Sequence, residues 1–218
     1  MPIRSFVRRS GRITLSQRKA IDKLWPVYGV KVAGELDLDI LFDRKAEKHV
    51  EIGFGNGNSL IDMATSNLEH DYLGIDVYTP GIGHLLIKIE ETQLTNIRII
   101  HADAVEILKN NLTLACLDTV YLFFPDPWPK KRHHKRRLIQ PDFINLLAQR
   151  IKPGGNFHLA TDWENYAQHM LSVLEASLEF TNHTNGFSPR PLERPLTKFE
   201  QRGLRLGHEV WDLLYRRC

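Results

Sequence analysis

The chain has 218 residues, is 42% hydrophobic and 25% charged, and carries a net charge of +3, values ordinary for a soluble globular protein with one large domain or two small ones. No apolar run approaches the ~18 to 20 residues of a membrane span, and MPIRSFVRRSGR lacks the apolar core of a secretory signal. Membrane and secreted classes are set aside and cytoplasmic residence is expected. The two cysteines, Cys116 and Cys218, show no metal-ligand spacing, so neither a structural disulfide nor a zinc site is expected.

In chain order, residues 1–31 come first, with eight Lys/Arg against one acid, Asp22. They read as the start of a basic N-terminal extension, residues 1–40, ahead of a single domain over 41–218. From residue 49 short β-branched runs alternate with amphipathic stretches, which predicts strand-helix-strand units and a mainly parallel sheet. The predicted strands are HVEIGF, YLGIDV, IRIIHAD, DTVYLFF, NFHLATD, a weaker LEFTNHT and EVWDLLYR. Helices are predicted at about 58–67, 81–94, 104–111, 140–151 and 163–177. KPGG at 152–155 reads as a sharp stop between helix and strand. The last strand has no helix before it, so the expected fold is α/β. It has a seven-stranded mainly parallel sheet, helices on both faces and an antiparallel hairpin at one edge.

Strand one runs into Gly53, Gly55 and Gly57 in a GxGxG turn, where backbone can approach a ligand and Asn58 is placed to cap the next helix. The spacing departs from the dinucleotide fingerprint GxGxxG. Glu51 on strand one, Asp76 at the end of strand two and Asp103 at the end of strand three point toward one crevice. Asp76 suits ribose hydroxyls. An acidic lining disfavours pyrophosphate and suits S-adenosylmethionine, which is cationic at sulfur and carries no phosphate.

The stretch FFPDPWPKKRHHKRR joins two features in one loop. Asp126 sits between Pro125 and Pro127, with Trp128 and Pro129 following, so its backbone is restricted. Residues 130–137 then supply Lys130, Lys131, Arg132, Lys135, Arg136 and Arg137 with no acid among them, a match for a polyanion. Residues 41–129 carry six Lys/Arg against thirteen acids, so positive charge is segregated around an acidic body. Trp128 fits core packing better than stacking on a base. Asp162 serves equally as a cleft residue or as a helix cap. FSPRPLERPL resists regular structure and reads as an extended connection leading to a lid. An NAD-dependent oxidoreductase and a non-catalytic RNA-binding protein remain alternatives.

EIGFGNGNSL, GIDV, HADAVEIL, FFPDPWPKKRHHKRRL, IKPGGNFHLATDWENYAQHM, TKFEQRG and RLGHEVWDL, in that order, resemble the bacterial TrmB-type tRNA (guanine-N7)-methyltransferases over nearly the whole chain. The resemblance implies a class I methyltransferase, Rossmann-like sheet and S-adenosyl-L-methionine as donor, with S-adenosyl-L-homocysteine as product. It also implies methylation of the variable-loop guanosine, position 46, of tRNA. By motif, Glu51, Gly53, Gly55, Gly57, Asp76, Asp103 and Asp126 would form the cofactor site, with Asp126 also catalytic. Lys130, Asp162, Thr197, Lys198, Phe199 and Glu200 would meet the substrate. Arg132, His133, His134, Lys135, Arg136 and Arg137 would meet RNA. Asp76 departs from the glutamate many members carry there. The expected partner is tRNA, with no obligatory protein partner, for a monomer or homodimer.

Overall fold

The computed structural model describes residues 11–196, 200–201, 207 and 209–218. Seven strands form its centre: β1 (Lys48–Ile52), β2 (Asp71–Asp76), β3 (Ile97–His101), β4 (Leu117–Phe123), β5 (Ile151–Thr161), β6 (Phe180–Asn182) and β7 (Trp211–Arg217). They make one sheet in the order β3-β2-β1-β4-β5-β7-β6. The first five are parallel. β7 runs antiparallel to both β5 and β6, which is the expected edge hairpin.

The helices are α1 (Leu15–Tyr28), α2 (Leu38–Phe42), α3 (Asn58–Ser66), α4 (Thr79–Thr92), α5 (Ala104–Asn110), α6 (Pro141–Arg150) and α7 (Glu164–Glu175). Two apolar clusters lie on the two faces of the sheet. Ala20, Leu60, Leu85 and Leu86 bring α1, α3 and α4 into one, while Leu108, Leu147 and Met170 bring α5, α6 and α7 into the other. A parallel sheet covered on both faces needs strands that are apolar on both sides, which explains the continuous β-branched runs.

Two local readings change. KPGG does not interrupt the chain between α6 and β5: β5 begins at Ile151 and carries an irregularity there. Leu117 pairs with Ile151 and Thr119 with Asn156, so two steps along β4 face five along β5. Gly154 takes the left-handed conformation (φ 81) that accommodates the extra residues. The second change is α1, which the charge pattern of the N-terminal segment did not signal. Its start is a reciprocal cap: the Thr14 hydroxyl accepts from the Gln17 backbone N–H, and the Gln17 side chain accepts from the Thr14 N–H. Beyond α1 the chain joins the sheet edge, where Gly29 bridges Ile99 in parallel and the Val30 N–H donates to the Ile99 carbonyl at 2.8 Å.

Candidate active site

The strand order reverses between β1 and β4, the place where an open α/β sheet leaves a crevice at its carboxyl ends. A cleft of about 540 Å³ occupies it. Glu51, Asp76, Asp103, Asp126 and Asp162 all line it, and no described Lys, Arg or His does. Five of the six acids expected in the site are therefore brought together; the sixth, Glu200, does not line the cleft.

The turn after β1 shapes the floor. Gly53 and Gly55 line the cleft with φ of 71 and 57, a conformation that glycine adopts without strain. Gly57 does something else: it caps α3 (φ 75), packs against Leu85 and lies outside the lining. Asn58 opens α3 as its first helical residue and so is not the cap. Asp76 stiffens the turn, accepting from the Gly55 N–H at 2.8 Å and the Tyr78 N–H at 2.9 Å. Burial raises the Asp76 carboxyl above its usual range, partly opposed by these backbone donors.

Glu51 is 2% exposed. One carboxylate oxygen accepts from the Ser59 hydroxyl at 2.5 Å, while Oε2 is buried without a hydrogen-bond partner among the described residues. Burial pushes this group up to about 7, with the Ser59 bond working against it and the nearby Asp76 adding to it. A buried acceptor left open in a cleft is a place for a ligand's donor. Asp103 accepts from the Val105 N–H at 3.0 Å as the cap of α5 while lining the cleft.

Asp126 is held on a strained loop. Phe124 and Trp128, two bulky aromatics, have φ of 52 and 46, and such conformations persist only where surroundings enforce them. The Phe124 N–H donates to the Ala160 carbonyl of β5 at 2.8 Å, anchoring one side of the loop. Arg137 anchors the other. Its Nε donates to the Pro127 carbonyl at 2.9 Å, and its Nη2 donates to Asn165 Oδ1 at 2.7 Å and contacts His134 Nε2 at 3.2 Å. The guanidinium lies 4.8 Å from the centre of the Tyr166 ring.

This corrects the placement of Arg137 on an RNA-facing surface. It is 2% exposed, and the loop's carbonyl and α7's first turn claim its donors. The other cations fold differently. Residues Lys131–Arg136 form a 3-10 helix with no buried residue, preceded by exposed Lys130. Arg132, Lys135 and Arg136 are exposed, and His133 and His134 partly so. Trp128 lies in neither core nor cleft: the Arg136 guanidinium sits 4.9 Å over its ring and His133 meets it edge-on at 5.7 Å.

Asp162 lies just before Trp163, which is the cap residue of α7, so the cleft placement prevails over the capping one. Thr197, Lys198 and Phe199 fall outside the described residues. Glu200 is described, and differs from the expectation that it meets the substrate. It is 1% exposed and forms a two-pronged ion pair with Arg194 at 2.6 and 2.7 Å. Arg194 also pairs with Asp212 of β7 at 2.7 Å, which is 2.7 Å from His158 Nε2 on β5. The proline-rich connection is thereby clamped to the sheet through buried charges, an arrangement that fixes register more than it adds stability.

A family model described as "Putative methyltransferase" matches residues 45–213. The tRNA (guanine-N(7)-)-methyltransferase of Nitrosospira multiformis is 55% identical over 217 residues, covering 99% of this chain and 95% of that protein. The enzyme of that name from Alkalilimnicola ehrlichii is 56% identical over 221 residues, covering 99% and 93%. Among solved structures, the 16S rRNA methyltransferase KamB superposes with a TM-score of 0.60 at 14% identity, covering 88% of this chain and 99% of that one. The aminoglycoside resistance methyltransferase NpmB1 gives 0.57 at 15% identity, covering 88% and 98%. At that identity the structures share the fold alone, whereas the match in sequence is end to end: the chain belongs to the tRNA (guanine-N7)-methyltransferase family.

Proposed function

We infer that this chain transfers a methyl group from S-adenosyl-L-methionine to N7 of the variable-loop guanosine of tRNA, forming 7-methylguanosine. The observation that carries this is the pairing of a cleft lined by five carboxylates and no described basic side chain with a cationic 3-10 helix on the same loop. A cationic, phosphate-free donor fits the first and a polyanion the second.

The buried open oxygen of Glu51 is suited to an ammonium, and Asp76, whose two oxygens each accept one backbone N–H, retains lone pairs for ribose hydroxyls. When bound, S-adenosyl-L-methionine supplies an electrophilic methyl on a sulfonium, and the electron pair of the broken C–S bond stays on sulfur. Guanine N7 attacks with an in-plane lone pair and bears no proton, so no general base is needed to expose it. Positioning and electrostatics carry the rate. Asp126 accepts from the ring N–H and amino edge of guanine, an edge adenine lacks, and its charge offsets the positive charge arising on the methylated base. The strained Phe124–Trp128 frame spares that carboxylate a search for its direction at the moment of reaction. Asp162 and Lys130 orient the substrate, and Arg132, His133, His134, Lys135 and Arg136 meet phosphates. The first forty residues add positive charge to the domain over 41–218. The enzyme works in the cytoplasm without an obligatory protein partner.

The test is methyl transfer by the purified chain from labelled donor to unmodified tRNA, with nucleoside analysis and a matched transcript lacking the variable-loop guanosine. 7-Methylguanosine in the intact transcript alone is the expected result. Transfer to both transcripts, or to neither, overturns the assignment.

A further inference from the structure

Away from the cleft, at the opposite ends of the same strands, Glu47, His49 and His70 bring three donor atoms within 4.8 Å of one another. The sheet's own register builds this cluster. Lys48 pairs with Asp71 and His49 with Tyr72, and the Asp71 N–H donates to the Glu47 carbonyl at 2.9 Å. Glu47 therefore lies beside His70 across the strand pair, and His49, two residues on, projects from the same face as Glu47. Residues distant in sequence are thus held together by rigid strands instead of loops.

The distances are informative. Glu47 Oε2 lies 3.4 Å from His49 Nε2 and 3.6 Å from His70 Nε2, and Glu69 Oε1 lies 3.6 Å from His70 Nε2. These separations exceed those of good hydrogen bonds. They match the edge of a tetrahedron about a divalent ion, about 3.4 Å for ligand bonds of about 2.1 Å. His49 has the supporting contact that a ligating imidazole uses: its Nδ1 lies 3.0 Å from the Tyr121 hydroxyl, which leaves Nε2 for the cluster. The two imidazoles are stacked, with centroids 4.6 Å apart and planes 13° from parallel. Convergence on one ion therefore requires a turn of the His70 ring, whose side chain is one quarter exposed. His70 Nδ1 is buried without a hydrogen-bond partner among the described residues, so no such bond from that atom opposes the turn.

We propose that Glu47, His49 and His70 bind a divalent transition-metal ion such as Zn²⁺, with Glu69 or water as the fourth ligand, stapling the starts of β1 and β2. The cysteine spacing gives no hint of this site, because the ligands are two histidines and a carboxylate joined by register. Nothing in the methyl-transfer chemistry calls on it.

The test uses untagged, chelator-treated full chain titrated with Co²⁺ and, separately, Zn²⁺. The expected result is one equivalent of Co²⁺ with the visible absorption of a tetrahedral site, and a rise in Tm with one equivalent of Zn²⁺, since an ion that binds only the folded state stabilises it. His70→Gln and Glu47→Gln change partly or largely exposed side chains and should weaken binding at least about tenfold, while His183→Gln, at the distant edge hairpin, should not. Absence of stoichiometric binding overturns the proposal. Equal binding by wild type, His70→Gln and Glu47→Gln places the ion elsewhere and overturns it too.

Discussion

The cleft and the cationic loop beside it are built on opposite principles. In the cleft three of the acids are placed by backbone: Asp76 by amides of the turn, Asp103 by its own helix start, Asp126 by a strained turn anchored to β5 and to Arg137. On the 3-10 helix the cations stand in water, and only Arg136, over Trp128, is organised by a described ring contact. A site that discriminates between bases needs charges fixed in direction. A surface that holds a phosphate backbone needs only charges in number. Losses in the first should therefore be steep and geometric, and those in the second graded and dependent on salt.

The steepest loss should come from Asp126→Asn, with turnover on tRNA falling about 10² to 10³-fold, the scale for removing one positioned electrostatic contact. Tm should change little by calorimetry, and any loss in S-adenosylhomocysteine binding should be far smaller than the loss in turnover; turnover within a few-fold of wild type would remove Asp126 from the chemistry. The contrast is sharpest between neighbours. Arg137→Ala should destabilise the fold by about 2 to 4 kcal/mol, as buried carbonyls lose charged donors, and lower kcat with little change in the salt slope of tRNA binding. Arg132→Ala with Lys135→Ala should leave Tm alone and reduce that slope by about one for each phosphate no longer neutralised. If Arg137→Ala behaves like the exposed pair, the distinction between frame and surface fails. A smaller effect concerns pH. Burial holds Glu51 protonated below about 7 in the free protein, and a ligand ammonium favours the carboxylate, so proton and ligand compete. Affinity for S-adenosylhomocysteine should fall by about fivefold from pH 7 to pH 6. Glu51→Gln should bind more weakly and flatten the profile; a flat wild-type profile would detach Glu51 from the ligand.

Periodicity made the strands legible, and the strand ends in turn made the acids legible, because a parallel sheet sends its C-terminal residues to one edge. The cationic run hid its most structural member. Six cations in eight residues look alike in sequence, and only the fold shows that the last of them turns inward. Glu200 was hidden by a similar averaging, since its partner Arg194 is also held by Asp212 of β7, eighteen residues further on, and that link is made only through the sheet. Helix α1 was written in the chain as Thr14-x-x-Gln17, a cap signature overshadowed by the surrounding charge. The twist into left-handed backbone at Phe124 and Trp128 has no sequence signal, because neither residue favours it.

The strand-like contact after α1 bears on the outer edge of the sheet. An uncovered outer strand is a template for a second molecule, and β3 would offer Ile97 and Ile99 along such a rim. The bridge from Gly29 and the Val30 amide occupies part of that rim, and the other rim ends in the three-residue β6. Trimming the chain to residue 41 to obtain a minimal catalytic body would therefore strip away an aggregation guard together with its basic charge.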